Sequence, residues 1–214
     1  MADPAQFVRV NTVVAAPPLL PELRLHLASE ITPLWHATEA TLARDQLPPP
    51  YWAFAWAGGQ ALARHLLDNA DLVRGKRVLD FGAGSGLVAI AAAKAGASAS
   101  AAEIDPFACA AIRLNAALNG VDVAIESGDV IGRAAAPWEI VLAGDMCYER
   151  PLAERLTTWL RALAGNGVIV LLGDPGRAYL PASGLEPLAR YTVPTTLELE
   201  DRLSRETTVW RLRG

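Results

Sequence analysis

Cysteine is nearly absent from this 214-residue chain: Cys109 and Cys147 stand alone, without CxxC spacing. Two are too few for a disulfide framework, so a reducing compartment is expected and a structural zinc site is not. An excess of positive charge is missing too. With 19 basic against 23 acidic residues the net charge is −4, which argues against a nonspecific grip on phosphate backbones and removes nucleic acid from the expected partners. No apolar run approaches the roughly 18 residues that a membrane helix needs, so a membrane is not an expected partner either. The opening Met1-Ala2-Asp3-Pro4 carries an acid, and Arg9 is the single basic residue among the first 20. That is unlike a signal or transit peptide, and a cytoplasmic chain is expected. The histidines, His26, His36 and His65, have no ligand spacing between them, so no metal site is expected.

What the chain does have is apolar bulk, 52% hydrophobic and rich in alanine. A chain of this length buries roughly 70% of its unfolded surface and needs no staple. Residues 1–50 read as a helical extension, with one helix over 22–30, another over 35–44 after Pro33, and a stiff joint at Leu47-Pro48-Pro49-Pro50. Residues 51–214 read as a single globular unit. It opens on an aromatic knot, Tyr51-Trp52-Ala53-Phe54-Ala55-Trp56, then Gly58-Gly59 and an amphipathic helix over 60–69. From Arg77 strands over 77–81, 98–103, 121–126, 139–144 and 168–173 alternate with helices over 87–95, 106–119 and 151–164. Uncharged strands such as Val168-Ile169-Val170-Leu171-Leu172 suit a parallel sheet covered on both faces. Residues 190–193 and 207–212 can pair as an antiparallel edge hairpin. The expected class is a doubly wound α/β fold.

Ligands of open α/β sheets sit outside the carboxyl ends of the strands. Here Gly82-Ala83-Gly84-Ser85-Gly86 follows the first strand, Glu103 ends the second, and Asp129, Asp145 and Asp174 follow the next three. Such a rim suits a cationic ligand rich in hydroxyl or amine donors, though Asp and Gly are also ordinary turn residues. A dinucleotide fingerprint would place its third glycine at Leu87, which argues against NAD and a dehydrogenase. Asp80-x-Gly82-x-Gly84-x-Gly86 resembles instead motif I of class I S-adenosylmethionine-dependent methyltransferases. That resemblance implies S-adenosylmethionine as cofactor and S-adenosylhomocysteine as product. It implies Glu103 at the ribose hydroxyls, Asp129 holding the adenine amino group, and Asp80, Gly82, Gly84, Gly86, Ile104 and Val130 among the cofactor-binding residues.

The flanking motifs carry a narrower resemblance. Pro50-Tyr51-Trp52-Ala53-Phe54-Ala55-Trp56-Ala57-Gly58-Gly59-Gln60-Ala61-Leu62, Glu103-Ile104-Asp105-Pro106, Gly144-Asp145-Met146-Cys147-Tyr148 and Gly173-Asp174-Pro175-Gly176-Arg177 are similar to the seven-β-strand lysine methyltransferases that modify the β-subunit of electron transfer flavoprotein. The likeness runs from about Thr32 to Trp210 and is weakest over the first thirty residues. It implies a Rossmann-like, mostly parallel seven-stranded sheet, that flavoprotein subunit as protein substrate, and Trp56 and Gly58 in the cofactor pocket. The family's acid-x-x-aromatic motif falls on Asp145 and Tyr148, which then capture and aim the lysine, Asp145 also lying beside the cofactor. Asp174 and Arg177 fall on the rim where the lysine enters, Arg177 contacting an acid of the partner.

Eukaryotic members of that family are mitochondrial, so the absence of a transit-like opening points to a bacterial cytoplasmic form. Other readings stay open: a class I methyltransferase acting on a ribosomal protein or a small molecule, or a cofactor-binding regulatory module without catalysis. Tyr51, Trp52 and Phe54 are equally suited to core packing. Gly173 to Arg177 also reads as a helix-starting turn. Cys147 reads as an inert buried thiol rather than a nucleophile.

Overall fold

The computed structural model describes residues 3–36, 49–133 and 137–214. Most of the helix expected over 35–44, and Leu47 and Pro48 of the proline joint, lie outside the described residues. The chain begins with α1 (Pro4–Val10), which starts on Asp3, whose carboxylate accepts the Ala5 N–H at 3.1 Å. Then β1 (Val13–Ala15) and β2 (Leu25–Leu27) pair as an antiparallel ribbon.

The helix expected over 22–30 is therefore corrected to a strand and its flanks. Leu23, Leu25 and Leu27 are buried while Arg24 and His26 turn outward, a period of two that a helix cannot present to one surface. The three leucines sink into the same core as Leu62 and Leu66. Asn115 holds the ribbon in place by accepting the His26 N–H at 2.8 Å.

The main sheet has seven strands in the order β5-β4-β3-β6-β7-β9-β8. They are β3 (Arg77–Phe81), β4 (Ser98–Glu103), β5 (Ala124–Ser127), β6 (Ile140–Gly144), β7 (Ile169–Asp174), β8 (Leu185–Pro194) and β9 (Ser204–Leu212). The first five run parallel and β9 runs antiparallel to both β7 and β8. The expected hairpin exists, but β9 lies inside the sheet, between β7 and β8, and only β8 of the pair is an edge strand. The expected strand over 121–126 begins later, at Ala124.

The helices are α2 (Ala57–Asp68), α3 (Leu87–Lys94), α4 (Pro106–Leu118), α5 (Arg150–Gly165) and the short α6 (Leu197–Glu200). On one face α2 and α3 bury Leu62, Leu66, Val88 and Ile90 against β3, β6 and β7. On the other, Leu156, Trp159, Leu160 and Leu163 of α5 cover Leu79, Val141 and Val170. This explains why the strands read as continuous apolar runs: both faces are covered. Alanine lets the helices approach closely, and Ala89, Ala101 and Ile112 make the seam where α3, β4 and α4 meet. Among the described residues, no helix is long and apolar enough to cross a membrane.

Candidate active site

Parallel register aligns the strand ends: Phe81 pairs with Ala102 and Ala143, and Gly144 with Gly173. A cleft of about 530 Å³ opens above them, where the sheet's order reverses beside β3. Its floor is the glycine turn. Gly82, Gly84 and Gly86 have φ of 63°, 52° and 79°, a left-handed alternation that only glycine adopts without strain. A Cβ on Gly82 would run into the Met146 side chain. Gly82 and Gly84 line the cleft, whereas Gly86 lies behind it and caps α3 against Ile112.

Glu103 ties this turn together. Its Oε2 accepts the Gly84 N–H at 2.9 Å, and Oε1 accepts those of Ile104 at 2.7 Å and Asp105 at 3.1 Å. Asp80 is buried beneath the turn and accepts the Ala89 N–H at 3.0 Å, inside the first turn of α3. Burial pushes its carboxyl up to about 8, the Glu103 charge adds to this, and the Ala89 N–H opposes it. A cationic ligand would reverse that balance.

Trp56, Ile104 and Asp129 line the cleft as the motifs imply, Ile104 strongly exposed. Trp56 donates its indole N–H to the Tyr51 carbonyl at 2.8 Å. Asp129 is not free: its Oδ2 accepts from Arg155 at 2.8 Å and its Oδ1 from the Ile131 N–H at 2.9 Å. The Arg155 hydrogen bond chiefly holds its pKa below the ordinary value. Val130 is fully buried and does not line the cleft, so any contribution from it is to shape the loop.

The far wall is built around Asp145. This residue has φ 58°, a left-handed conformation rare outside glycine, and its N–H donates to the Gly173 carbonyl at 2.9 Å. Its Oδ2 accepts the Gly59 N–H at 3.0 Å, in the first turn of α2, where the helix dipole favours a negative charge. Its Oδ1 accepts from Arg177 Nε at 3.0 Å and Nη2 at 2.7 Å. Burial raises the carboxyl to about 6, with Arg177 and the Gly59 N–H holding it from rising further.

Gly58 makes this approach possible without lining the cleft: a Cβ there would strike the Gly173 carbonyl and lie 2.5 Å from Asp145 Oδ2. Tyr148 stands half-exposed at the rim, its ring 5.7 Å from that of Tyr51, and burial raises its pKa. The intervening Cys147 is buried and its thiol pushed up to about 12. That makes it a poor nucleophile at neutral pH.

Arg177 does not stand free for an acid on a partner, as the sequence led us to expect. Besides Asp145 it holds Glu200 of α6, through Nη1 at 3.0 Å and Nη2 at 2.6 Å. Its carbon Cζ lies 5.8 Å from the centre of the Trp56 ring. Asp174 is buried outside the cleft lining, where its Oδ1 accepts the N–H groups of Gly176 and Arg177, both at 2.7 Å. It therefore shapes the loop that carries Arg177. Gly59 and Glu200 were absent from the expected site, and Tyr51, which the sequence left open between pocket and core, lines the cleft. Gly59 is half-signalled by the glycine pair it belongs to, but nothing in the sequence marks Glu200.

Comparison with known proteins adds what geometry alone does not carry. A family model described as ribosomal protein L11 methyltransferase matches residues 61–173. The electron transfer flavoprotein beta subunit lysine methyltransferase of Xenopus laevis is 41% identical over 97% of this chain and 86% of its own. The chain belongs to that lysine methyltransferase family. It is an S-adenosylmethionine-dependent protein-lysine methyltransferase, within the wider methyltransferase family whose model it matches. The human protein of the same description is 38% identical, covering 95% of this chain and 80% of its own.

Among solved structures, magnesium protoporphyrin IX methyltransferase from Synechocystis with bound SAH superposes with a TM-score of 0.54 at 16% identity. It covers 73% of this methyltransferase and 81% of its own chain, a likeness of fold. These relatives also correct one expectation. The matched lysine methyltransferases come from frog, human and nematode, so a bacterial cytoplasmic form is not supported.

Proposed function

We propose that this cleft is the methyl-transfer site and that the acceptor is a lysine of the electron transfer flavoprotein beta subunit. The substrate assignment is supported by the descriptions of relatives 37% to 41% identical to nearly the whole chain. The observation that carries the site is Asp145, a buried carboxylate in a strained conformation that lines the same cleft as Tyr148 and the glycine turn.

The residues fit the cofactor. Gly82 and Gly84 present bare backbone to the cleft, Glu103 offers carboxylate oxygens to ribose hydroxyls, and Asp80 and Asp145 supply negative charge near a cation. Ile104 gives an apolar face beside the ribose site, and Asp129 an acceptor for an adenine amino group. When bound, the cofactor supplies an electrophilic methyl on a positively charged sulfur.

The lysine poses the harder problem. Its reference pKa near 10.4 leaves about one amine in 2,500 neutral at pH 7, a handicap of roughly 4.6 kcal/mol. Asp145 and Tyr148 capture the ammonium and aim it; a carboxylate favours the charged form, so capture and deprotonation are separate tasks. Desolvation in the aromatic mouth formed by Tyr51, Trp56 and Tyr148 favours the neutral amine, and the proton leaves to water. With the cofactor bound, a lysine so aimed would form its nitrogen–carbon bond as the carbon–sulfur bond breaks. Proximity and orientation supply most of the rate.

The test is mass spectrometry of purified electron transfer flavoprotein after incubation with enzyme and cofactor, with ribosomal protein L11 in parallel. Methyl groups on lysines of the flavoprotein beta subunit are expected. Labelling of L11 alone would replace the proposed acceptor. Asp145→Ala should abolish transfer while S-adenosylhomocysteine still binds by calorimetry; near-normal turnover would sink the role given to Asp145.

A further inference from the structure

We propose that Glu200, in the connection between β8 and β9, is a positioning residue for methyl transfer: it draws the Arg177 charge away from Asp145 and so keeps that carboxylate available to a lysine ammonium. The inference rests on the capture role of Asp145. Four ionic groups form one chain that runs from Asp145 and Arg177 in the cleft lining to Glu200 and Arg205 behind it. Asp145 takes two N–H groups of Arg177 on its Oδ1, and Arg177 gives Nη1 and Nη2 to the two oxygens of Glu200. Glu200 in turn accepts from Arg205 Nε of β9 at 3.2 Å. Two acids and two guanidinium groups cancel, and the Glu200 side chain is only 1% exposed.

The cancellation matters because of where the cluster lies. Among the described residues, Asp145 Oδ2 takes only the Gly59 N–H, and Asp145 lines the cleft. Without Glu200, Arg177 and Arg205 would leave one uncompensated positive charge directly behind the position an ammonium must reach, in a setting where water screens little. Other groups facing Asp145 do not substitute. Asp174 makes no hydrogen bond to either guanidinium among the described residues, its Oδ2 being buried without a partner, and burial pushes its carboxyl toward the neutral form; the Cys147 thiol stays protonated, and Tyr148 is held neutral. Glu200 is thus the acid that balances Arg177 from outside the cleft, and it ties the β8–β9 hairpin to the lysine-handling wall.

Removing one member of a buried ionic cluster also weakens a fold, so the experiment reads charge as well as activity. Rates are measured with purified electron transfer flavoprotein as acceptor, across pH, for Glu200→Gln, Arg205→Gln and the double variant. For Glu200→Gln the acceptor KM should rise about tenfold while affinity for S-adenosylhomocysteine stays within about twofold, and the acid limb of kcat/KM should move to lower pH. Arg205→Gln, at a partly exposed position, should move that limb to higher pH. The double variant restores charge balance and should return both quantities toward wild type.

A merely structural Glu200 would make the double variant at least as impaired as Glu200→Gln, with no opposite shift for Arg205→Gln, and that result overturns the proposal. Should Glu200→Gln fail to fold, the direction of the Arg205→Gln shift decides alone. Asp145→Asn separates the role of Asp145 from that of Glu200. If it keeps near-normal turnover, the capture role itself fails. If it is inactive while Glu200→Gln behaves as wild type, only the role of Glu200 fails.

Discussion

Asp80 is the carboxyl most at odds with its surroundings in the absence of ligand, being buried, touched by one N–H, and raised to about 8. An acid whose folded pKa lies above its unfolded value stabilises the fold fully below the unfolded value, near 4, and that stability is lost as pH rises through about 8. Thermal melts of the cofactor-free enzyme should therefore show Tm falling between about pH 5 and pH 8.5, with at most ~1.4 kcal/mol of stability lost for each step of one in pH, and Asp80→Asn should flatten the trend. The cationic cofactor reverses the preference and favours the ionised carboxyl. Its affinity should rise with pH up to about 8 and then level, with proton release visible by calorimetry in buffers of different ionisation enthalpy. The neutral product sulfide should show a weaker dependence. Asp145, raised to about 6, sets a second limit: kcat/KM should fall on the acid side as that carboxyl takes up a proton.

Two elements meet the sheet more tightly than their sequences announce. The N-terminus of α2 lies so close to the ends of β6 and β7 that Gly58 and Gly173 each exclude a Cβ on the other, and a Cβ on Gly144 would strike the Gly59 backbone. Gly58→Ala should cost about 1–3 kcal/mol by overpacking and also displace the Gly59 N–H from Asp145. Urea unfolding and turnover should therefore both register it, where a stability defect alone would spare turnover per folded molecule. The β1–β2 ribbon is likewise part of the core. Leu25 is fully buried, and Leu25→Ala should destabilise by about 2–5 kcal/mol in urea melts while leaving the cofactor affinity of the folded fraction unchanged.

These two contacts also show what is legible in the sequence. β3 and β4 can be read to the residue, because runs such as Val78-Leu79-Asp80-Phe81 end on a glycine turn or an acid. The ribbon reads wrongly as a helix because leucines at 23, 25 and 27 follow prolines at 17, 18 and 21 in a stretch too short for periodicity to separate strand from helix. Gly58 is legible as a glycine and illegible as a contact. The carbonyl that excludes its Cβ belongs to a residue more than a hundred positions later, and such pairings exist only once the sheet has formed.

Charge across the whole molecule reads differently once its partners are visible. In the sequence, Glu103, Asp129, Asp145 and Asp174 suggest an acidic rim, with the net charge of −4 concentrated where a cation binds. In the fold, Asp129 is paired with Arg155 and Asp145 with Arg177, while Glu103 is occupied by backbone N–H groups. Burial shields Asp80 and Asp174 from solvent, so little of that charge projects outward as a long-range field. Capture of the lysine then depends on contact inside the cleft, where screening is weak, rather than on steering from a distance. Initial rates with the flavoprotein acceptor should accordingly fall less than about threefold in kcat/KM between roughly 50 and 300 mM salt. A steep decline would mean that the enzyme presents an uncompensated acidic surface to its partner, and the docking force would have to be sought outside the cleft.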